Sequence, residues 1–351
     1  MNNYVNKKIA WYLSSVIDHT GAHHLFKKAY GGLGHILMFH RVLPRSASFR
    51  IHNHTSLEIS PDHLENIIIY LRKRKYHFLS LDQLPDFLND QKNPARFSVF
   101  TFDDGYFDNY QYALPVFEKY KVPFTVYVAT DLPDKKALLW WYYLEEVMLH
   151  LKNLYFEWNG IQYDFILKSN IQKERAFEML RRLLINTGAA DMVSLLRHIG
   201  GSDYERHWNK MEQLGMSWEM VREMAGNNLV TIGAHTITHR ALSALSAEEA
   251  RQEIEGSKMI IENRIGKSVK HFSYPFGKNS MAGEREHRLV NECGFVTATT
   301  TSFGNIQPQH AAHLFSLPRI TVNSLVNTSV LNLSINGLIP AVKNHFKRVV
   351  I

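Results

Sequence analysis

Two adjacent carboxylates stand directly after an apolar run of the kind found in buried strands. The run is Phe97–Phe100, and the acids are Asp103 and Asp104 in the stretch TFDDG. Neighbouring side chains of a strand point to opposite faces, so two acids at its end should serve different purposes. The same Asp-Asp-Gly pattern is also common in turns that cap a helix, and the stretch alone leaves both interpretations open.

A pair of histidines could complete a metal site with one of these acids. His235 and His239 lie in the stretch HTITH, after an apolar run of their own. Histidine makes up 19 of the 351 residues, so the spacing has little value by itself, and the similar pair His19 and His23 is interpreted as surface. Two imidazoles and one carboxylate leave positions open on a zinc-like ion, and the other carboxylate can then act as a base. Hydrogen-bonded loop histidines are the alternative.

Two further strand ends carry residues of interest. The stretch FSYPFG, residues 272–277, ends a predicted strand in a turn that can present a backbone N–H and an aromatic wall to a substrate. The stretch LMFHRV, residues 37–42, places His40 at the end of another strand. Active sites of parallel α/β folds collect at the carboxyl ends of strands, so these residues and the two acids should lie at one face.

The elements that must position these residues alternate between strands and helices, which predicts a largely parallel α/β architecture. Helix starts are marked by Ser60-Pro61 and by the capping box Ser246–Glu249. The predicted strands are continuous apolar or β-branched runs, as in sheets that are buried on both faces. They cover His35–His40, Ser98–Phe102, Phe124–Ala129, Leu229–Gly233, Val269–Tyr274 and Phe295–Thr299.

The segment 138–228 interrupts this alternation and predicts a mainly helical insertion. It opens with an aromatic cluster around Trp140-Trp141, and the run Leu154–Phe165 predicts a hairpin at Asn159-Gly160. Aromatic faces suit sugar rings, so Trp140, Trp141 and Trp218 of this segment are candidates for binding a glycan or a lipid carrier. Packing in the insertion's own core is the alternative.

Composition and charge describe an ordinary soluble protein. The chain has 45% hydrophobic and 21% charged residues, and its 351 residues are enough for one large α/β domain or two ordinary ones. The net charge of +7 suggests acidic partners, but the excess is spread along the chain, and we expect no nucleic acid. The single cysteine, Cys293, excludes an intramolecular disulfide.

The two ends of the chain bear on its location. We see neither a secretory signal nor a long apolar run, which predicts a cytoplasmic protein. Residues 1–33 are expected to form an N-terminal amphipathic helical segment, 34–325 the main domain, and 326–351 a basic amphipathic C-terminal segment. Basic amphipathic ends suit either a peripheral contact with the inner membrane face or docking on the domain.

Together, TFDDG, HTITH and YPFG, in this order, resemble the motifs of the polysaccharide deacetylases (carbohydrate esterase family 4, the NodB homology domain). The preceding ILMFHRV resembles the permuted branch, in which the motif with the acid histidine comes first. The resemblance covers about Gly34 to Val322, apart from the helical insertion. It implies that the fold is a distorted (β/α)7 barrel. Members of this family remove N-acetyl or O-acetyl groups from glycans.

The resemblance implies a metal site and a base. Asp103 would be the general base, while Asp104, His235 and His239 would hold a divalent metal, most often Zn2+. The two carboxylates of TFDDG would then divide the work between a proton and a metal ion.

The remaining implied roles belong to the other strand ends. His40 would be the general acid, Phe276 and Gly277 would form the turn that gives a backbone N–H to the oxyanion, and Tyr274 would line the sugar site. Many members place an arginine before the proline of the third motif, where this chain has none. Arg319, which we expect after the last strand, resembles the arginine that the permuted branch uses instead.

We therefore expect a metal-dependent deacetylase acting on an N-acetylated polysaccharide or its lipid-linked precursor. Two other classes are weighed against it. A two-histidine, one-carboxylate iron oxygenase would have no clear use for the second acid, and its fold is not a parallel α/β one. A catalytically inactive glycan-binding module would bind oligosaccharide without releasing acetate, although every expected catalytic residue type is present.

Overall fold

The computed structural model describes residues 21, 23–46, 49–90, 95–187 and 189–351. Most of the N-terminal segment predicted over residues 1–33, including His19, lies outside these ranges. The strands in chain order are β1 (Gly34–Phe39), β2 (Arg41–Val42), β3 (Glu58–Ile59), β4 (His77–Phe78), β5 (Phe97–Phe102), β6 (Phe124–Val128), β7 (Asn153–Trp158), β8 (Ile161–Ile166), β9 (Val230–Ala234), β10 (His271–Ser273), β11 (Thr297–Phe303) and β12 (Leu317–Thr321).

Seven of these strands form a closed parallel barrel. The order around it is β1, β5, β6, β9, β10, β11 and β12, which is also the order along the chain, and β1 pairs with both β5 and β12. β4 pairs only with Phe97 and Ser98, the first residues of β5. β6 pairs with Thr101 and Phe102, the last residues of β5. The predicted distorted (β/α)7 barrel is confirmed.

Helices fill most connections between the barrel strands. They are α1 (His23–Tyr30), α2 (His52–Thr55), α3 (Pro61–Lys73), α4 (Leu84–Asn89), α5 (Leu114–Tyr120), α6 (Trp140–His150), α7 (Asn170–Asn186), α8 (Ala189–Gly200), α9 (Tyr204–Glu212), α10 (Trp218–Gly226), α11 (Ala247–Ile265), α12 (Glu284–Glu292), α13 (Thr328–Ile335) and α14 (Leu338–Lys343). The caps predicted at Ser60 and Ser246 are confirmed, since each side chain accepts from a backbone N–H of the first turn.

The alternation of side chains along the barrel strands separates an outer core from an inner face. Phe100 and Phe102 of β5 pack outward with the helices in the main hydrophobic core. Thr101, between them, is buried on the inner face, where it meets the guanidinium of Arg319. Because β5 ends at this point, the next residues continue into the open end of the barrel.

The last barrel strand was not predicted from the sequence. Arg319 lies within β12, not after the last strand as expected. Pro318 argues against a central strand, because proline cannot donate to the ladder. It is tolerated because it stands between the pairs Thr299–Leu317 and Phe303–Arg319, where the register with β11 shifts.

The segment predicted as an insertion contains two structurally different parts. Residues 139–211 supply most of a separate hydrophobic core, with a hairpin whose turn residues Asn159 and Gly160 both have positive φ, as predicted. α10, by contrast, packs in the main core of the barrel. Trp218 at its start is 6% exposed and donates to Asp134 at 2.7 Å, so it belongs to the barrel's helical layer.

The C-terminal segment docks on the barrel. Leu331, Leu333 and Ile335 of α13 are buried, and Arg348 donates to the Ala29 carbonyl at 2.7 Å. Val342 and Phe346, by contrast, are each 59% exposed, and a membrane contact through this segment stays a prediction. Within the described ranges, no helix is both long and apolar enough to cross a bilayer.

Candidate active site

The two aspartates at the end of β5 are turned apart by the backbone. Asp103 continues the barrel ladder, since its N–H donates to the Phe39 carbonyl at 3.0 Å. Asp104 has a φ of +78° and Gly105 a φ of +88°, so the chain turns sharply after Asp103. A positive φ is uncommon in residues other than glycine and marks a position held by its surroundings. The two carboxylates consequently have different neighbours.

Asp104 meets the two histidines of HTITH. Its Oδ1 lies 3.3 Å from His235 Nε2 and 3.1 Å from His239 Nε2. The three groups offer ligand atoms that lie within 4.8 Å of one another. Oδ1 is buried without a hydrogen-bond partner among the described residues. A buried acceptor without a partner, facing two imidazole nitrogens, fits a set of ligands around a divalent cation.

The electrostatics of this set favour a cation. Burial opposes ionisation of Asp104, but the imidazoles of His239 and His235 outweigh it and hold its pKa well below the ordinary value. Burial likewise opposes protonation of His235, but Asp104 and Asp103 outweigh it and raise the pKa of that imidazole. Negative charge at this end of the barrel therefore attracts positive charge, which a metal ion would supply.

Further contacts orient the histidine ligands. His235 Nδ1 lies 2.7 Å from the carbonyl oxygen of Ser273, which accepts from an Nδ1–H and leaves the Nε2 lone pair for a ligand. The loop that leads to His239 is held by Glu253 of α11. Its carboxylate accepts from the N–H groups of Ile237 and Thr238, both at 2.9 Å, and from the Thr238 hydroxyl at 2.6 Å.

Asp103 is held by Arg319 across the barrel. Arg319 Nη1 and Nη2 donate to the two oxygens of Asp103, each at 2.7 Å. The other N–H groups of the guanidinium donate to Thr300 O, Thr101 Oγ1 and Ser273 Oγ. Burial opposes ionisation of Asp103, but Arg319, together with His235 and His40, outweighs it and lowers the pKa of the carboxyl. Asp103 is thus an oriented carboxylate.

His40 lies at the same end of the barrel, directly after β1. Burial lowers the pKa of its imidazole, and the charges that act on it belong to Asp104, Asp103, Arg319 and His235. The backbone beside it is fixed, since the His40 carbonyl accepts from Asn109 Nδ2 at 2.8 Å. The structure therefore brings His40 into electrostatic range of both aspartates.

The YPFG turn has a tight backbone conformation with two positive φ angles. Phe276 has a φ of +60° and Gly277 a φ of +45°, and their carbonyls accept from the hydroxyl and N–H of Thr301 at 2.7 and 2.8 Å. A Cβ on Gly277 would lie 2.6 Å from Thr301 N, so the close approach requires glycine. Among the described residues, nothing accepts from the Phe276 N–H.

Tyr274 does not line an open site. It is 1% exposed, packs in the outer core, and donates its hydroxyl to the Phe315 carbonyl at 2.9 Å. The expectation that Tyr274 contacts a sugar is not met in this structure. Side-chain alternation is the reason, because Ser273 points into the barrel and its neighbour Tyr274 must point away.

Sequence reasoning missed a second network around the same strand ends. Arg41 Nε donates to Asp108 Oδ2 at 2.7 Å, and the Val42 N–H donates to the other oxygen of Asp108. The guanidinium of Arg41 also lies 5.1 Å from the ring centre of Tyr106 and 4.9 Å from that of Tyr142. The positions of these residues in the sequence could have indicated the network. Arg41 directly follows His40, whereas Tyr106 and Asp108 lie just after TFDDG.

A cavity of about 400 Å³ lies elsewhere, at the opposite end of the barrel. It is lined by Asp82, Thr231, Lys270 and His271, among others. Asp82 already accepts from Thr231 at 3.2 Å and from Lys270 at 3.4 Å, and lies 3.3 Å from His271 Nε2. Asp82 is thus paired within the protein, and the cavity shares no lining residue with the TFDDG, HTITH and YPFG motifs.

Two segments of the chain match a known protein family. Residues 90–157 and 165–297 match the family model described as polysaccharide deacetylase. The chain is 22% identical over 289 residues to YxkH of Bacillus subtilis, a candidate polysaccharide deacetylase, covering 82% of this chain and 71% of YxkH.

Solved structures share the fold. The deacetylase PplD of Streptococcus pyogenes, solved with acetate, is 19% identical with a TM-score of 0.56, over 86% of this chain and 96% of PplD. IcaB from Ammonifex degensii is 17% identical with a TM-score of 0.53, over 88% of this chain and 98% of IcaB. At sequence identities this low, the similarity to these two structures shows a shared fold.

Proposed function

The chain belongs to the polysaccharide deacetylase family, and from this premise we propose that it is a metal-dependent enzyme that hydrolyses the acetamido group of an N-acetylated glycan. The observation that carries the proposal is the separation of the two aspartates. Asp104 faces two imidazole nitrogens, and Asp103 is held by a guanidinium. This arrangement provides a cation site and a fixed base side by side.

The metal site would consist of Asp104, His235 and His239, and Zn2+ is the ion that such a ligand set suits best. When bound, the ion would polarise the acyl carbonyl and make water more acidic. The hydrogen bond of His235 Nδ1 to Ser273 O and the clamp of Glu253 on the HTITH loop would keep the ligands oriented.

Asp103 would act as the general base. It is ionised and oriented by Arg319, and a carboxylate whose two oxygens each accept one hydrogen bond still has lone pairs free for a proton. Arg319 does not touch the reacting atoms in this proposal, because its N–H groups are all engaged with protein acceptors. Its contribution is to position Asp103.

The oxyanion and the leaving amine need partners of their own. The Phe276 N–H, which has no acceptor among the described residues, would donate to the oxyanion, and such a donor is worth about 3 kcal/mol in the transition state. An amine leaves readily only when protonated. His40, in electrostatic range of both aspartates, would in its protonated form donate a proton to the amine nitrogen as the C–N bond breaks, while Asp103 would hold the proton removed from water.

The substrate remains a proposal at the level of its class. The family and the acetate bound to PplD support an acetylated glycan, and we favour N-acetyl over O-acetyl groups. The glycan would be a polysaccharide or its lipid-linked precursor. A cytoplasmic location, with a peripheral contact at the inner membrane face through the basic ends of the chain, is proposed on the sequence alone.

Metal removal and the substitution Asp104→Asn test the proposal. Zinc-loaded protein should release acetate from an N-acetylglucosamine tetrasaccharide, and a chelator should stop the release until Zn2+ is restored. Asp104→Asn should reduce bound metal and lower kcat/KM by at least about 1,000-fold, while circular dichroism shows an intact fold.

Asp164→Asn is the matched control, because Asp164 is exposed on β8 of the insertion. It should keep wild-type metal content and activity. Acetate release that survives both the chelator and Asp104→Asn would refute the metal-dependent mechanism.

A further inference from the structure

The metal-ligand set opens to solvent on one side. The side chain of His239 is 15% exposed, against 5% for Asp104 and 2% for His235. Of the three ligands, His239 is thus the one most accessible to a substrate. The residues around the His239 ring therefore lie where a substrate would contact the protein.

Two aromatic rings flank His239. The ring centre of Trp141 lies 5.7 Å from that of His239, and the ring centre of Phe276 lies 5.2 Å from it. Phe276 is 48% exposed and Trp141 is half-buried. In the described part of the chain no ring contact joins Trp141 to Phe276, so each ring contacts the imidazole separately.

Trp141 belongs to the insertion, and contacts of nearby residues on α6 fix its position. It lies in the first turn of α6, where the next residue, Tyr142, packs under the Arg41 guanidinium. One turn later, Glu145 accepts from Arg50 Nε at 2.8 Å and lies 2.7 Å from His54 Nδ1. These buried contacts order the start of α6 before any ligand arrives, which lowers the entropic cost of using Trp141 in binding.

We propose that Trp141 and Phe276 form an aromatic-walled subsite for the pyranose ring that carries the acetyl group. This inference rests on the proposed function and adds that the insertion supplies a specificity-determining residue. The apolar C–H face of a hexosamine ring packs well against an indole, while its polar edges stay in water. An apolar wall with a few polar groups at its base is the usual composition of a small-ligand site.

The test compares Trp141→Ala and Trp141→Phe in zinc-loaded protein. Binding of an N-acetylglucosamine tetrasaccharide is measured by calorimetry in an Asp103→Asn background, where turnover is blocked. Acetate release is measured in parallel on the tetrasaccharide and on 4-nitrophenyl acetate, which has no sugar ring. We expect Trp141→Ala to weaken tetrasaccharide binding about tenfold. The kcat/KM for the tetrasaccharide, divided by that for 4-nitrophenyl acetate, should fall by a similar factor. Trp141→Phe should recover most of both losses.

Tyr155→Ala is the control, because Tyr155 is 64% exposed on the hairpin of the insertion and contributes an aromatic ring that the proposal does not use. It should change neither the binding nor the ratio. Zinc content and melting temperature are followed in every variant, so that a loss caused by a disturbed His239 is recognised.

The outcomes separate the two proposals. If no acetate is released from either substrate, the proposed function fails, and the calorimetry still decides the subsite. Wild-type tetrasaccharide affinity in Trp141→Ala, an equal loss on both substrates, a parallel loss of zinc, or no binding of the tetrasaccharide at all would each overturn the subsite.

Discussion

Asp103 and Arg319 form an ion pair with almost no exposure to solvent, at 2% and 1%. Burying two charges is costly unless their remaining hydrogen-bonding groups are satisfied. Here the guanidinium meets this condition, because its donors reach Thr300, Thr101 and Ser273 as well as the carboxylate. The planar fork of arginine fixes the plane of the carboxylate, which a point charge cannot do.

The substitution Arg319→Lys tests this positioning role. Lysine keeps the charge but cannot form two parallel hydrogen bonds, so we expect kcat/KM to fall about 100-fold with little change in KM. The free energy of unfolding should drop by about 2 kcal/mol, since several buried acceptors lose their donor. Steady-state kinetics across pH and urea denaturation measure the two effects.

Arg181→Lys, on the partly exposed surface of α7, provides the comparison for a harmless change of the same type. Wild-type kinetics and pH profile in Arg319→Lys would contradict the positioning role.

At the scale of elements, the carboxyl ends of the barrel strands collect residues that are far apart in sequence. β5 ends at the aspartates, β9 ends before HTITH, and β10 ends before the YPFG turn. The loop that follows β9 is held by a side chain of an outer helix, Glu253 of α11. This helix thus packs on the barrel and also fixes a loop that carries chemistry.

Glu253→Gln should loosen the HTITH loop without removing a metal ligand. An amide offers one acceptor oxygen in place of two, so part of the contact with Ile237, Thr238 and the Thr238 hydroxyl is lost. We expect zinc affinity to fall about 10- to 100-fold, as for other residues that orient metal ligands. Competition with a chelating dye measures the affinity.

The control is Glu255→Gln, two residues along the same helix and exposed. Equal zinc affinities in the two variants would show that Glu253 does not orient the site.

At the scale of the whole molecule, two hydrophobic cores are joined beside the active site. The main core surrounds the barrel, and the second lies in the insertion but includes Ile51 and Tyr106 from barrel-side segments. Glu145 of α6 lies at this junction and accepts from Arg50 and from the Ile51 N–H. Burial opposes its ionisation, but the contacts with His54 and Arg50 outweigh this and lower its pKa from 4.5 to about 2.

The stability conferred by Glu145 should depend on pH. Because the pKa of Glu145 is lowered on folding, its contribution is complete above about pH 4.5 and is lost as pH falls toward about 2. A lowering of this size corresponds to about 3 kcal/mol. We therefore expect Glu145→Gln to unfold about 3 kcal/mol more easily at pH 7, with the difference from wild type shrinking between pH 4.5 and 2.

Denaturant titrations at several pH values measure this difference. Glu157→Gln, an exposed position on β7, should match wild type at every pH. A wild-type advantage over Glu145→Gln that stays constant down to pH 2 would contradict the linkage.

The sequence by itself predicted most of the barrel strands, and its resemblance to a known family implied the barrel and the residues at its open end. Continuous apolar runs predicted six of the seven barrel strands, because strands buried on both faces need apolar residues throughout. The motifs at their ends were local, so their residues could be named from the sequence. β12 was missed because its proline obscured the strand pattern.

Only the tertiary structure decided which of these residues meet, and through which faces. Arg319 and Asp103 are 216 positions apart, and no local pattern specifies that their side chains form a bidentate pair. Trp141 lies beside His239 on a helix that Glu145 anchors to the barrel side, and Tyr274 is excluded from the site because its strand directs it outward. Local periodicity identifies elements, whereas register, strand order and anchoring fix the orientation of each side chain.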